Sequence, residues 1–228
     1  SSIHLEVRNS AFENLSLGKG IFLIDSHGEN ENKALDNFSI RVENSSFTNI
    51  ELNSYSSSYL ESTVGTGIFT SWTRLLGRAS YQSENSYAIT VTGSFFEEIS
   101  TSSSGGVLFS GVESLYNGVL SLQHCEVQSI TAMVQANNRD DSGSIIRFVM
   151  GESPSSTDIL GTGTAAATVS TLSVLNCTFR DMSAFDGGFL FWESHSKPIN
   201  VSLAGSSFKN IELTNNGLFF LKYSPTNL

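Results

Sequence analysis

The chain is predicted to fold as an all-β solenoid, a right-handed parallel β-helix of about six turns with loop insertions, and three observations predict it. First, one short phrase returns along the chain: Asn9 to Leu15, Asn44 to Ile50, Gly93 to Ile99, His124 to Ile130, Asn176 to Met182 and Gly205 to Ile211. Each copy begins with a polar corner, continues with a bulky apolar residue and closes on a polar residue followed by an aliphatic one. Second, an alternating apolar stretch precedes every copy, which marks a strand with one buried and one wet face. Third, a small residue, usually Gly, and an apolar run follow every copy.

Each turn therefore holds three short strands. The first reads Ile3-x-Leu5-x-Val7, then Ile40 and Val42, Ile89 and Val91, Leu120 and Leu122, Leu172 and Val174, Val201 and Leu203. The second carries the phrase, and the repeat requires Phe12, Phe47, Phe96, Val127, Phe179 and Phe208 to share one interior column. The third follows Gly20, Gly67, Gly106, Ser144, Gly188 and Gly217. Between strands one and two the corner is Asn, Gly or His, and inside the phrase a second corner falls on Asn, Asp or Glu. Asn and Gly tolerate the left-handed backbone that such corners need. The competing architecture is an antiparallel β-sandwich.

The Phe-x-Asn phrases, as in Phe12-Glu13-Asn14, Phe47-Thr48-Asn49 and Phe208-Lys209-Asn210, together with the Gly-led apolar runs, resemble a known group of solenoids. From about Ile3 to Leu221 the chain is similar to the pectin-lyase-like β-helix superfamily. More narrowly it resembles the repeats of chlamydial polymorphic outer-membrane proteins and of long β-helical surface proteins of protists, although the chlamydial repeat spaces Phe and Asn one residue wider. The narrower resemblance implies a surface protein. The broader one implies that an enzyme of this fold would gather several carboxylates on the outer face of adjacent strands.

Composition agrees with an extracellular all-β protein. Ser and Thr make up about a quarter of the residues, and Lys plus Arg number 12 against 22 Asp plus Glu, for a net charge of −10. An acidic surface disfavours nucleic acid and anionic membranes as partners, and no stretch is long and apolar enough to insert into a bilayer. The repeat runs through residues 1–228 as one domain. The Ser/Thr/Gly-rich stretches Ser54 to Gly67, Ser71 to Tyr87 and Gly151 to Ser170 read as insertions into it rather than as linkers. With no initiator Met and no evident cap, the chain is expected to be a mature product or a segment of a longer solenoid.

The chemistry-bearing residues are few. Cys125 and Cys177 hold the same phrase position in consecutive turns, where other turns place Ser. Stacked positions about 4.8 Å apart can be bridged, so a disulfide is expected; the alternative is two buried thiols in a ladder of small residues. Sequons place Asn14, Asn37, Asn44, Asn176 and Asn200 as candidate carriers of N-linked glycans, although a chain this rich in Ser and Thr produces sequons by chance. Outward positions of the first strand read His4, Glu6, Arg8 and then Ser39, Arg41, Glu43. Glu6 over Arg41 and Arg8 over Glu43 form a charge ladder, which is more often structural than catalytic. His4, His27, His124 and His195 lack a nucleophile and carboxylate at motif spacing, and His124 reads as a corner residue. Asp140, Asp141, Glu29 and Glu31 read as solvated loop charges. No catalytic, cofactor-binding or metal-binding residue is assigned.

The third strand is apolar on both faces, as in Phe189 to Trp192 and Leu218 to Leu221, so either inserted loops or another copy must cover it. Ile3, Leu5, Phe191, Trp192, Phe219 and Phe220 are the assembly candidates. The expected function is an extracellular structural or adhesive, non-catalytic subunit of a surface filament or layer, self-associating head to tail or laterally. The competing functions are a polysaccharide lyase or glycoside hydrolase and a carbohydrate-binding module.

Overall fold

The computed structural model describes residues 2–18, 20–25, 37–53, 66–72, 86–101, 105–112, 118–132, 143–150, 170–184, 188–194, 199–214 and 217–223. They form three parallel sheets of six strands each, and no helix occurs among them. The first sheet contains β1 (Ser2–Arg8), β4 (Asn37–Glu43), β7 (Ser86–Thr92), β10 (Gly118–Gln123), β13 (Ser170–Leu175) and β16 (Ile199–Ala204). The second contains β2 (Ala11–Leu17), β5 (Ser46–Leu52), β8 (Phe95–Thr101), β11 (Glu126–Ala132), β14 (Thr178–Ala184) and β17 (Ser207–Leu213). The third contains β3 (Phe22–Asp25), β6 (Phe69–Trp72), β9 (Gly105–Val112), β12 (Gly143–Met150), β15 (Leu190–Ser194) and β18 (Phe219–Tyr223). Each strand pairs with its equivalent in the next turn, which is the topology of a parallel β-helix. It excludes the antiparallel sandwich, because every strand pairing is parallel.

Ser71, Tyr87 and Ser170 belong to β6, β7 and β13, and Gly67 leads into β6, so the expected insertions are shorter than the sequence suggests. Thr66, Ile68 to Thr70, Trp72 and Ser86 are likewise described, and the remainder of each insertion lies outside the described residues.

The register follows the phrase residue for residue. Phe12, Phe47, Phe96, Val127, Phe179 and Phe208 are consecutive partners across the second sheet. Their rings stack where both partners are aromatic: Phe12 on Phe47 at 4.9 Å, Phe47 on Phe96 at 4.8 Å and Phe179 on Phe208 at 4.9 Å between centroids. Leu15, Ile50, Ile99, Ile130, Met182 and Ile211 form the neighbouring column. The alternating first strands supply two more, one from Leu5 to Val201 and one from Val7 to Leu203. These columns meet in one continuous core.

Both corners are left-handed in every turn. The first falls on Asn9, Asn44, Gly93, His124, Asn176 and Gly205, and the second on Asn14, Asn49, Glu98, Ser129, Asp181 and Asn210, all at positive φ. For any residue but Gly this conformation costs roughly 1–2 kcal/mol, and the ladder on either side compensates it. Asn, Asp and Gly dominate the positions because they carry that cost most cheaply. His124, at φ 53°, takes the place of a corner Asn, as the sequence implies.

The third sheet is entered through a column of glycines. A Cβ on Gly20 would lie 2.1 Å from the Gly67 carbonyl oxygen, and one on Gly67 would lie 2.5 Å from that of Gly106. Each turn thus passes its backbone directly over the next. Ser144 interrupts the column, which resumes at Gly188 and Gly217, and the register shifts between Ser144 and Ile146.

Candidate functional site

The most regular polar feature is the corner after each first strand. Its second residue, Ser10, Ser45, Ser94, Cys125, Cys177 or Ser206, turns its hydroxyl or thiol back on its own chain and donates to the carbonyl two residues earlier. The same atom accepts the corner amide of the preceding turn. Ser45 Oγ takes the Ser10 N–H at 3.2 Å, Ser94 Oγ that of Ser45 at 3.2 Å, Cys177 Sγ that of Cys125 at 3.4 Å and Ser206 Oγ that of Cys177 at 3.1 Å. A small side chain with one donor and one acceptor thus satisfies a backbone group that a bend would otherwise orphan. The sequence shows the recurring Ser. Its role as an inter-turn amide acceptor emerges only once the register is known.

The expected disulfide is not formed: Cys125 and Cys177 are buried free thiols. They occupy adjacent ladder positions, as expected. Each sulfur is committed to the ladder, however, with Cys177 Sγ accepting the Cys125 amide and donating to the Leu175 carbonyl. The contact separates the two thiols electrostatically. The hydrogen bond from Cys125, against the opposing effect of burial, draws Cys177 down to about 7. The same hydrogen bond, reinforced by burial, pushes Cys125 far above its ordinary value.

The charge ladder lies on the outer face of the first sheet. The register places Glu6 beside Arg41 and Arg8 beside Glu43. Arg8 Nε meets Glu43 at 3.1 Å, Arg8 also pairs with Glu6 and Arg41 also pairs with Glu43, so the four groups form one exposed network. His4 hydrogen-bonds Ser39 Oγ on the next strand. Beyond Glu43 the same column continues as Thr92 and Gln123, which are neutral. The described residues contain no group of three or more His, Cys, Asp or Glu able to hold a metal ion. His27, His195, Asp140, Asp141, Glu29 and Glu31 lie outside the described residues.

On the outer face of the second sheet one column reads Glu13, Thr48, Glu97, Gln128, Arg180, Lys209. It passes from acid at one end to base at the other. Gln128 donates to Glu97 within it, and Arg180 reaches Glu126 beside it at 2.8 Å. At the second corner, Asn49 Nδ2 donates to Asn14 Oδ1 at 2.7 Å and Asn210 Nδ2 to Asp181 Oδ1 at 2.9 Å.

The sequons separate by geometry. Asn14, Asn44 and Asn176 are exposed left-handed corners, and Asn200 is exposed in β16. Asn14 Oδ1 is already engaged by Asn49. A Cβ on Gly205 would lie 2.1 Å from Asn176 Oδ1, so Asn176 lies over the corner of the next turn. Asn37 begins β4, and its side chain lies outside the described residues.

The assembly candidates divide. Ile3, Leu5 and Phe219 are exposed, and Phe220 is half-buried. Phe191 and Trp192 are buried within the single chain, which removes them as a lateral surface. Phe191 stacks on Phe220 at 4.9 Å, and the Arg147 guanidinium lies 5.9 Å from its ring. Thr70, Ser110 and Arg147, which precede Phe191 in its column, are buried as well. A second copy is therefore not needed to cover the central strands of this sheet. The sequence signals the apolar face there but not the buried arginine within it.

Comparison with family models, with curated proteins and with solved structures finds no match for the chain.

Proposed function

We propose that the chain is an extracellular structural element, a non-catalytic rod that belongs to a surface layer or filament and displays its loops and glycans at fixed spacing. One observation carries this reading: among the described residues the register runs through three six-stranded sheets, with a shift only between Ser144 and Ile146. Inward positions are spent on core columns and corner side chains on inter-turn hydrogen bonds. A parallel ladder of this kind is stiff along its axis, because each turn is hydrogen-bonded to both neighbours. The outward residues of the first sheet beyond Glu43 offer hydroxyls and amides rather than paired acids, which suits display better than acid–base chemistry. The resemblance to β-helical surface proteins points the same way. Exposed Asn44, Asn176 and Asn200 are the sites at which a sugar would project from the rod.

Antibody raised against the folded chain tests this on intact and permeabilised cells of the source organism. Label on intact cells is the expected result. Label that appears only after permeabilisation overturns the reading. So does release of new reducing or unsaturated sugar ends when the purified chain is incubated with acidic polysaccharides, since that is the activity of a lyase or hydrolase.

A further inference from the structure

Cys125 and Cys177 are the chain's two cysteines, and we propose that they form a redox switch: a small peroxide oxidises the buried dithiol to a disulfide that ties the fourth turn to the fifth, and added thiol reverses it. The switch is independent of the scaffold role and goes beyond it.

The ladder itself does not call for sulfur. Ser10, Ser45, Ser94 and Ser206 donate to the carbonyl two residues earlier, as the cysteines do. Ser45, Ser94 and Ser206 also accept the corner amide of the preceding turn. What Cys adds to Ser is two-electron chemistry. Both cysteines stand in this ladder and in consecutive turns. Gln123 pairs with Leu175 on one side of them and Glu126 with Thr178 on the other. Their backbones are thereby held one strand spacing apart, about 4.8 Å, inside the range of about 4.4–6.8 Å that a disulfide spans. Cys177 Sγ already accepts the Cys125 amide at 3.4 Å.

The cysteines sit where three other ladders lapse together. In the fourth turn His124 replaces the corner Asn or Gly, and Ser144 interrupts the glycines. Val127 interrupts the ring column between Phe96 and Phe179 and forfeits the stacking on both sides. A covalent tie from Cys125 to Cys177 reinforces the solenoid at this thin place.

Oxidation orphans neither carbonyl that the thiols now serve. The Cys125 thiol donates to the Gln123 carbonyl and the Cys177 thiol to that of Leu175. Those oxygens also accept the Gly93 amide at 2.8 Å and the His124 amide at 2.9 Å, so each keeps a partner when the thiol protons leave. Cys177 reacts first. The hydrogen bond from Cys125, against burial, draws it down to about 7, so it supplies the thiolate. This thiolate attacks one peroxide oxygen and the O–O bond breaks. Hydroxide leaves, taking up the proton that Cys177 lost on ionising, and Cys177 becomes a sulfenic acid. The Cys125 sulfur then attacks Cys177 Sγ, its thiol proton passes to the departing oxygen, the S–O bond breaks and water leaves. Two thiols have given up two electrons and two protons, and one peroxide has become two waters. Burial selects the oxidant. Cys125 is 3% exposed and Cys177 1%, which admits a small neutral peroxide and excludes a tripeptide disulfide.

The test uses the 228-residue chain, reduced, freed of reductant and exposed either to hydrogen peroxide or to glutathione disulfide. Peroxide is expected to lower the mass by about 2 Da and to give a Cys125–Cys177 linked peptide on digestion, and dithiothreitol is expected to restore the thiols. Closing a loop across 52 residues constrains the unfolded chain, so the urea midpoint of the oxidised protein is expected to rise by about 1 M. Glutathione disulfide is expected to give neither change. In Cys125→Ser, peroxide is expected to leave a sulfenic acid on Cys177 that dimedone traps, whereas Cys177→Ser leaves Cys125 unreacted. Ser occupies this position in four other turns, so both variants and the double variant are expected to fold, and the double variant to ignore peroxide. Thiols that stay free in the native chain at a peroxide concentration that oxidises them in urea overturn the proposal. So do a disulfide between two chains, a sulfinic acid in place of the cross-link, a midpoint that fails to rise, or equal oxidation by glutathione disulfide.

Discussion

Replacing Phe96 by Ala tests whether the ring column holds the solenoid together. Phe96 is 1% exposed, its ring lies 4.8 Å from that of Phe47 at an interplanar angle of 5°, and Val127 is its partner on the other side. A buried phenyl removes about 150–250 Å² from water, which at about 25 cal/mol per Å² is roughly 4–6 kcal/mol, part of it retained by the Ala methyl. Core Phe→Ala changes cost about 3–5 kcal/mol, and the site cannot collapse because hydrogen-bonded turns hold the column spacing near 4.8 Å. A loss of about 4 kcal/mol is expected. Phe12 is half-buried in the first turn with one stacked neighbour, so Phe12→Ala is expected to cost about half as much. Urea unfolding followed by circular dichroism measures both, at matched m-values. The Phe47→Ala/Phe96→Ala cycle adds the ring–ring coupling, roughly 0.5–1.5 kcal/mol. A Phe96→Ala protein within about 1 kcal/mol of the parent, or less destabilised than Phe12→Ala, refutes the column argument.

Three further changes probe other layers of the fold. In Gly106→Ala the new Cβ meets the Phe109 carbonyl oxygen at 1.9 Å and the Arg147 amide at 2.7 Å, both backbone atoms that cannot swing aside; a loss above about 3 kcal/mol in urea is expected, and a neutral result refutes the close-approach argument. Alkylation in denaturant without reductant should label both Cys125 and Cys177, with neither labelled quickly in the native chain; a mass 2 Da low and no labelling would show the disulfide after all. Trp192 Nε1 is buried without a hydrogen-bond partner, so Trp192→Phe loses packing but also removes an orphaned donor worth about 1–3 kcal/mol. Its melting midpoint is expected to fall much less than that of Phe96→Ala, and an equal fall would mean that the donor is satisfied.

The fold was legible because its period is visible in side chains that only one geometry reconciles. Phe12, Phe47 and Phe96 recur at one place in the phrase, and a one-residue slip would turn all of them to solvent. Corners were legible for a different reason: a left-handed residue narrows the choice to Asn, Asp and Gly strongly enough to show in single copies. Ser129 and Glu98 share that conformation without carrying that signature, and there the register of the whole phrase places them. Less was legible where one residue type serves two ends. The apolar run at Phe189 to Trp192 reads the same whether its outer face is buried by its own chain or by another, and only the burial of Phe191 and Arg147 separates the two. The cysteines show the same limit. Equivalent ladder positions are compatible with a disulfide and with two thiols that each hold a backbone partner, and the choice rests on where the sulfur points.

These layers bear on how such a rod could change while keeping its function. Each turn touches only its neighbours, so its stability is a sum of turn and interface terms, and a substitution acts within about one turn of its site. The strand and corner positions are constrained on both sides, by Phe47 and Val127 at Phe96 or by Asn44 at Gly93. The sequence sets long Ser/Thr/Gly-rich stretches between some of the strands, and the cost of closing a longer loop grows only slowly, by about 0.6 kcal/mol per doubling of length. The same reasoning locates its weakness. A defect at the ladder costs the coupling to two turns at once, so a central Gly106 or Phe96 change is expected to divide the cooperative unit, whereas the same chemistry at Phe12 or Phe208 only frays an end.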